Sequence, residues 1–573
     1  MASTPKGMKR HLTNYGDPDF SLYLRTAFIK AMGYTGEALD RPIIGIVDTY
    51  SGFNPCHATV PELIEAIKRG VMLAGGLPII FPTISLHESF AYPTSMFLRN
   101  LMAMDTEEMI KAQPMDSVVL IGGCDKTVPA QLMAAASADI PAISVVTGPM
   151  LSGSHRNERV GACTDCRRFW AQYRSGAIDR STIDDITDNL VPSGGTCGVM
   201  GTASTMACVT EALGMMLPGG ATIPAVLADR MRHAEQTGAR AVALASEGLT
   251  PTRIITSEAL ANGLRMLLAI GGSTNGIIHL AAIAGRLGVD IDFRAFDEMG
   301  RETPVLIDLK PSGSYYMDDL HRAGGLTPVF RELRPLLNLD CLTVTGRTLG
   351  EEIDNLPEPF NQEVVRTIDR PVHRGGSMAV LKGNLAGGGA IIKQSAGSPE
   401  LMVHTGKAVV FESVEDMAQR IDDPNLEVEE SDVLVMKNCG PRGAPGMPEA
   451  GYIPIPKKLA RQGVLDMVRI SDGRMSGTAF GTIVLHATPE SAVGGPLALV
   501  ENGDMISLDV PNRQLTLLVD ESELERRRTR FKPAIDPASL RGYLRLYHEQ
   551  VNQAERGCDF NFMRAAQNGT TTP

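Results

Sequence analysis

Arg41-Pro42-Ile43-Ile44-Gly45-Ile46-Val47-Asp48 is an aliphatic run that stops at a polar loop. Beyond the loop, Val60, Leu63, Ile64, Ile67 and Val71 recur at helical spacing within Thr59 to Leu73. A short β-branched run followed by an amphipathic segment reads as one strand–helix unit. The unit repeats. Leu77 to Phe81, Ser117 to Ile121 and Ile140 to Val146 are further aliphatic runs bounded by Gly, Pro or Asp, as parallel strands buried on both faces usually are. Helices are predicted at Val128 to Ala136, Val199 to Met216, Ser257 to Ile270 and Ile277 to Leu287. This alternation predicts an α/β fold over residues 1–374, with a parallel sheet covered by helices.

The pattern changes near Arg374. Gly375 to Lys393 (GGSMAVLKGNLAGGGAIIK) reads as two strands joined by a Gly-rich turn. Short strands follow at Lys407 to Glu412, Asp432 to Lys437, Thr482 to Ala487 and Met505 to Val510. Frequent turns and few helices predict a β-barrel-like second domain over residues 375–573. Its tail, Pro537 to Gln553, reads as helical, and Glu427 to Asp432 as a solvated acidic loop.

With 573 residues the chain is long enough for two domains with large cores. Its net charge of −12 gives no footprint for nucleic acid or an anionic membrane and favours a small-molecule partner. Met1 to Asn14 lacks the apolar core of a secretory signal. Val71 to Ile84 is broken by Gly and Pro and is too short to span a bilayer. A cytoplasmic enzyme is therefore expected. Nine cysteines, an odd number at irregular spacing, suit reduced thiols rather than a disulfide framework.

Three constellations carry candidate chemistry. Cys56 (Asn54-Pro55-Cys56-His57) and Cys124 (Gly122-Gly123-Cys124-Asp125-Lys126) each follow a predicted strand and precede a helix, and Cys197 (Gly195-Thr196-Cys197-Gly198) opens the helix predicted from Val199. Ligands of parallel α/β sheets bind beyond the carboxyl ends of the strands, and helix N-termini there favour thiolates. The three can converge on one metal cluster, or each can be a small buried hydrophobe. Asp125, Lys126, Glu88 and Glu449 offer the carboxylates that hard divalent cations require, the lysine only as a carbamate; taken singly, each acid reads first as a surface charge or a helix cap. Ser471-Asp472-Gly473-Arg474-Met475-Ser476-Gly477-Thr478 is either a tight loop that brings a hydroxyl to a substrate or a plain β-turn.

Together these pieces resemble a known family. Cys124-Asp125-Lys126-Thr127-Val128-Pro129-Ala130 is similar to the first signature of the dihydroxy-acid and phosphogluconate dehydratases, and Ser471 to Gly477 to the second. Gly201-Thr202-Ala203-Ser204-Thr205-Met206 and Gly271-Gly272-Ser273-Thr274-Asn275 between them are also family-like, so the resemblance runs from about Arg41 to Phe560. It implies an α/β domain and a barrel-like domain with the active site between them, in a homodimer or homotetramer. Carried over by position, Cys56, Cys124 and Cys197 would ligate a [2Fe–2S] cluster. Glu88, Asp125, carbamylated Lys126 and Glu449 would hold Mg²⁺, or Mn²⁺, and Ser476 would be the base, with Thr478 orienting it. The implied reaction removes water from a small polyhydroxy acid.

The glycine–cysteine motifs and Gly201 to Met206 resemble the sugar-acid branch, which dehydrates arabinonate, xylonate or gluconate. The alternative is the branch that converts 2,3-dihydroxyisovalerate for branched-chain amino acids; it usually has Asp where this chain has Glu88. Cys163-Thr164-Asp165-Cys166 departs from the family pattern. It is a redox pair, half a zinc site or an incidental pair, and the expectation is an incidental pair near the active-site entrance. Two rivals from other classes are a non-catalytic metal-binding regulator, which would have lost Ser476 or the acids, and a thiol oxidoreductase using Cys163 and Cys166.

Overall fold

A computed structural model describes residues 6–12, 14–533, 535 and 537–566. Part of Met1 to Asn14, read above for the absence of a signal, therefore lies outside the described residues. Four strands, β1 (Ile43–Asp48), β2 (Leu77–Pro82), β3 (Ser117–Gly122) and β4 (Ala142–Val146), form a parallel sheet in the order β2-β1-β3-β4. β1, β3 and β4 are buried along almost every residue, which is why they read as unbroken aliphatic runs.

The helix predicted from Val199 begins only at Thr202 and runs to Ala212. Val199 and Gly201 close a local turn through Gly201 N–H to Val199 O, at 2.7 Å, and this keeps Cys197 on a loop rather than in the first helical turn. A short hairpin, β5 (Gly153–His155) with β6 (Glu158–Val160), follows the sheet.

The second lobe is a closed barrel. Its strands are β7 (Ala379–Gly383), β8 (Ala386–Ile392), β9 (Val403–Phe411), β10 (Val433–Met436), β11 (Arg469–Ser471), β12 (Ile483–Thr488), β13 (Met505–Asp509) and β14 (Gln514–Leu517). They close in the order β10-β11-β12-β8-β7-β14-β13-β9. Alternation along the strands builds two layers. Val433, Val435, Ala408 and Val410 join the barrel core, while Leu434, Met436, Val409 and Phe411 pack outward against Met417, Ile421 and Leu459. β11 and β14 had no period to betray them, being three and four residues long; the barrel is completed by pairing, not by local pattern.

Beyond the barrel, the helix Gly542–Gln550 and the segment to Phe560 return to the first lobe. Tyr547, Val551 and Phe560 pack with Met96, Phe97 and Ile278. Among the described residues, no helix is long and apolar enough to cross a membrane.

Candidate active site

The exits of three parallel strands meet at one histidine. His57, in the turn after β1, donates from Nδ1 to Thr49 O at 2.8 Å. Its Nε2 then accepts from the amides of Gly123 and Cys124, at 3.0 and 3.1 Å, in the turn after β3. Burial drives His57 down to about 4, against the Thr49 hydrogen bond, so the ring is neutral and able to accept. Asn54 ties the same turn to the loop after β2 through Ser85 Oγ and Leu86 O, at 3.1 and 3.2 Å. Gly123 must be glycine, because a Cβ there would stand 1.9 Å from Thr147 Oγ1 and 2.9 Å from Cys56 O.

This arrangement gathers the cysteines. The Cys124 thiol favours the Cys56 thiolate and, helped by His87, outweighs burial and lowers Cys56 to about 6, while Cys124 is raised by its interaction with Cys56 and by burial. Cys197 lies on a loop held by Gly195 N–H to Pro55 O at 3.1 Å and by Thr196 N–H to Gly148 O at 2.9 Å. It is close enough to Cys56 to feel its charge.

Of the pair expected near the active-site entrance, Cys163 lies with its Sγ 3.5 Å from Cys197 Sγ. The segment is drawn in by a Gly198 N–H bond to Ala162 O at 3.0 Å, a long-range contact invisible in the spacing of the motif.

Beside the thiols stands an acid cluster. Glu88, Asp125 and Glu449 each bring an oxygen within 4.8 Å of the other two, a grouping able to hold a metal ion. Glu88 follows β2, Asp125 follows β3, and Glu449 lies in the connection from β10 to β11. Cys124 Sγ is 3.4 Å from Asp125 Oδ1, so the two clusters touch. Lys126, fully buried, is ion-paired to Asp125 and lies 3.3 Å from Glu88 Oε2. Burial and Arg474 oppose its charge, but the three acids outweigh them and hold Lys126 above its ordinary value. Burial works against Glu88 too, yet Lys126 and Arg474 keep it well below the usual carboxylate range. Burial pushes Glu449 up.

Arg474 is the side chain whose role sequence reasoning missed. It is fully buried and donates to Glu449 Oε1 and to Thr94 Oγ1, both at 2.7 Å, with Glu88 Oε2 at 3.4 Å. Thr94 passes its own hydroxyl to Glu88 at 2.5 Å, as does Ser95, and Thr94 therefore makes no side-chain cap for the helix Ser95–Ala112. Arg474 stood inside a quoted motif, but sequence carries no mark that separates a buried arginine from a solvated one.

The loop from β11 to β12 holds Arg474, Ser476 and Thr478. Ser476 Oγ and Thr478 Oγ1 are 2.8 Å apart. The loop seats on the first lobe: Asn275 Nδ2 donates to Met475 O at 3.1 Å, and Thr164 Oγ1 donates to Thr478 O at 3.1 Å. A Cβ on Gly477 would meet Ser273 at 2.6 Å. One on Gly201 would meet both Thr478 Cγ2, at 2.9 Å, and Cys197 Cβ, at 3.8 Å.

A parallel sheet and a barrel share thiols, a hydroxyl loop and a group of acids able to hold a metal ion at their junction. Residues 41–352 match the dihydroxy-acid/6-phosphogluconate dehydratase N-terminal family and residues 363–558 its C-terminal counterpart. The chain belongs to this dehydratase family and is a hydro-lyase. An L-arabinonate dehydratase of Rhizobium leguminosarum bv. trifolii is 46% identical over 96% of each chain. A 6-deoxy-6-sulfo-D-gluconate dehydratase of Pseudomonas putida is 43% identical over 93% of this chain and 92% of its own. A dihydroxy-acid dehydratase of Methanothrix thermoacetophila is 42% identical over 93% of this chain and 96% of its own.

Proposed function

We propose that the protein dehydrates a 2,3-dihydroxy sugar acid, an aldonate such as arabinonate, xylonate or gluconate, to the 2-keto-3-deoxy acid. In this reading Cys56, Cys124 and Cys197 hold a [2Fe–2S] cluster, and Glu88, Asp125, Glu449 and carbamylated Lys126 hold Mg²⁺ or Mn²⁺. The donor sets fit these groups: soft thiolates suit iron–sulfur centres and carboxylates suit hard divalent cations. Carbamylation supports the balance of charge. It exchanges the Lys126 ammonium for an anion among three acids, and a bound divalent cation restores what is lost.

The observation that carries the reading is the reach of one loop to both clusters. Arg474 bonds Glu449, while Thr478 lies over Gly201 beside Cys197. A cation held by these acids would acidify the C2 proton of a bound substrate, and a cluster held by the three thiols would supply Lewis-acid chemistry toward the C3 hydroxyl. Ser476 Oγ, deprotonated beside these cations, takes the C2 proton, and Thr478 orients it from 2.8 Å. The C2–H electron pair becomes the C2–C3 double bond as the C3–O bond breaks. The departing hydroxide takes the proton that Ser476 Oγ removed from C2 and leaves as water, which restores the base, and the enol tautomerises to the keto acid.

The same reading has the enzyme in the cytoplasm as a homodimer or homotetramer. Its nine free cysteines agree with a reducing compartment. The test is an anaerobic assay on aldonic acids with 2-keto product detection. 2,3-Dihydroxyisovalerate belongs in the panel because a dihydroxy-acid dehydratase is 42% identical to this chain. Aldonates should be turned over best; turnover of dihydroxyisovalerate alone would move the enzyme to the other branch. Chelation should abolish activity while leaving the colour, with recovery on adding Mg²⁺, and Lys126→Arg should be inactive. Normal turnover by Lys126→Arg would remove the carbamate.

A further inference from the structure

We propose that Glu490, as a carboxylate, is a positioning residue for the divalent-cation site: it folds the connection from β10 to β11 that presents Glu449. The proposal rests on the cation reading above and adds no ligand to it. Glu490 stands two residues beyond the end of β12 and is fully buried. Its Oε2 accepts from the amides of Arg442 and Gly443, at 2.9 and 3.0 Å, and its Oε1 from Gln553 Nε2 at 2.7 Å. Gln553 returns the bond, its Oε1 accepting from Glu490 N–H at 2.8 Å. Gly440 allows the approach, because a Cβ there would stand 2.6 Å from Glu490 Oε2.

The connection is gripped along its length from one side of the barrel. Asp472 accepts from Cys439 N–H at 2.9 Å and from Ser491 N–H at 2.8 Å, which fastens the start of the loop to the residue after Glu490. Glu490 holds the next turn at 442 and 443, where Ala444 N–H closes onto Gly440 O at 3.0 Å. Arg474 meets Glu449 at the far end. The middle grip is what brings Glu449 to a fixed place opposite Glu88 and Asp125, as groups behind metal ligands do.

Stability does not account for this side chain. Its three donors are neutral amides. Burial, and then Asp472, raise Glu490 to about 7 against those bonds. Ionising it in the fold therefore costs stability as pH rises from the ordinary carboxylate range to neutrality. Yet the ionised form is the one the geometry requires, since a proton on either oxygen sets a donor against an amide donor. The titratable neighbours leave this sign unchanged. Tyr547 and Cys558 are raised by burial and stay protonated, each feeling the charge of Glu490. Glu555 is raised by burial, and His548 is lowered by burial and by Arg442.

Mn²⁺ binding to protein purified anaerobically and stripped of divalent cations, read from the free-ion EPR signal, tests this without turnover. Glu490→Gln is neutral at every pH. Its Mn²⁺ dissociation constant should lie about tenfold above wild type at pH 8. The ratio should close toward one at pH 6, where the wild-type carboxylate is itself mostly protonated; taking the ratio removes any titration the two proteins share. The urea midpoint of the stripped protein at pH 8 should not fall. A ratio near one at pH 8, a ratio that does not change with pH, or weaker binding matched by a lower midpoint would each overturn the proposal. Should Glu490→Gln fail to fold, Gln553→Leu leaves the carboxylate and removes one donor. It should bind Mn²⁺ about threefold more weakly at pH 8, and wild-type affinity there would overturn the proposal equally. Asp125→Asn separates the two levels. Wild type that binds Mn²⁺ no better than Asp125→Asn would sink the cation reading itself, whereas a loss in Asp125→Asn with none in Glu490→Gln overturns the role of Glu490 alone.

Discussion

Arg286 and Arg474 are both fully buried, and each faces two carboxylates, yet they do different work. Arg286 forks onto Asp559, at 2.6 and 3.1 Å, and reaches Glu107 at 3.0 Å. Those acid side chains are 0% and 5% exposed. The network is closed, and it ties the C-terminal tail to the first lobe. Arg474 faces Glu88 and Glu449, whose side chains remain 25% and 19% exposed. Lys126, Asp125 and the thiols crowd the same place. Buried charges satisfied on all sides hold a fold together; charges with oxygens left open toward solvent are available to a ligand.

That contrast is broken most sharply by separating activity from stability. Ser476→Ala, on the Arg474 loop, should lower kcat by about 10²–10⁴-fold, as removal of a general base does. Its urea midpoint should stay with the wild type. Turnover within about tenfold of wild type would fall inside the loss of one modest hydrogen bond, and the base would lie elsewhere.

On the other side, Asp559→Ala leaves Arg286 with an uncompensated buried charge and should cost about 3–5 kcal/mol of unfolding free energy. Activity per folded molecule should persist. If the variant were as stable as wild type but inactive, the two networks would have been assigned the wrong way round.

A smaller effect sharpens the comparison through pH. Burial, and then Arg474, drive His486 down to about 3 from an ordinary 6.5. The ring is neutral in the fold, while the unfolded chain takes up a proton below about pH 6.5. Its contribution is therefore complete above that pH and shrinks as pH falls, by about 2 kcal/mol between pH 7 and pH 5. His486→Asn, which tolerates the residue's positive φ of 55°, should lose less stability than wild type over that interval in paired denaturant titrations. Parallel losses would refute the assignment.

The smallest expected effect tests the seat of the serine loop. Gly201→Ala places a methyl 2.9 Å from Thr478 Cγ2, and the loop must yield. A stability loss of about 1 kcal/mol, the low end for overpacking, is expected. kcat should fall further than in a matched Gly387→Ala control, whose added Cβ would meet nothing within 4 Å.

What the sequence by itself determined was local and periodic. The strands β1, β3 and β4 are legible because burial on both faces demands unbroken aliphatic residues. β9 and β10 are legible because their outward residues are covered as well. The Cys, Asp and Ser motifs could be read as candidates because they sit in turns, and their joint meaning came through a family resemblance. Tertiary structure alone decided which of them meet. Glu88 and Glu449 are far apart in the chain and share no local pattern, so only lobe packing brings their oxygens within 4.8 Å. Arg474 became a tether between acids, and Cys163 a neighbour of Cys197, through single long-range contacts that leave no trace in composition or period. β11 and β14 exist because partners on both sides supply their hydrogen bonds. Periodicity records burial along one element; the meeting of two elements is settled by packing, and packing is not written in either one.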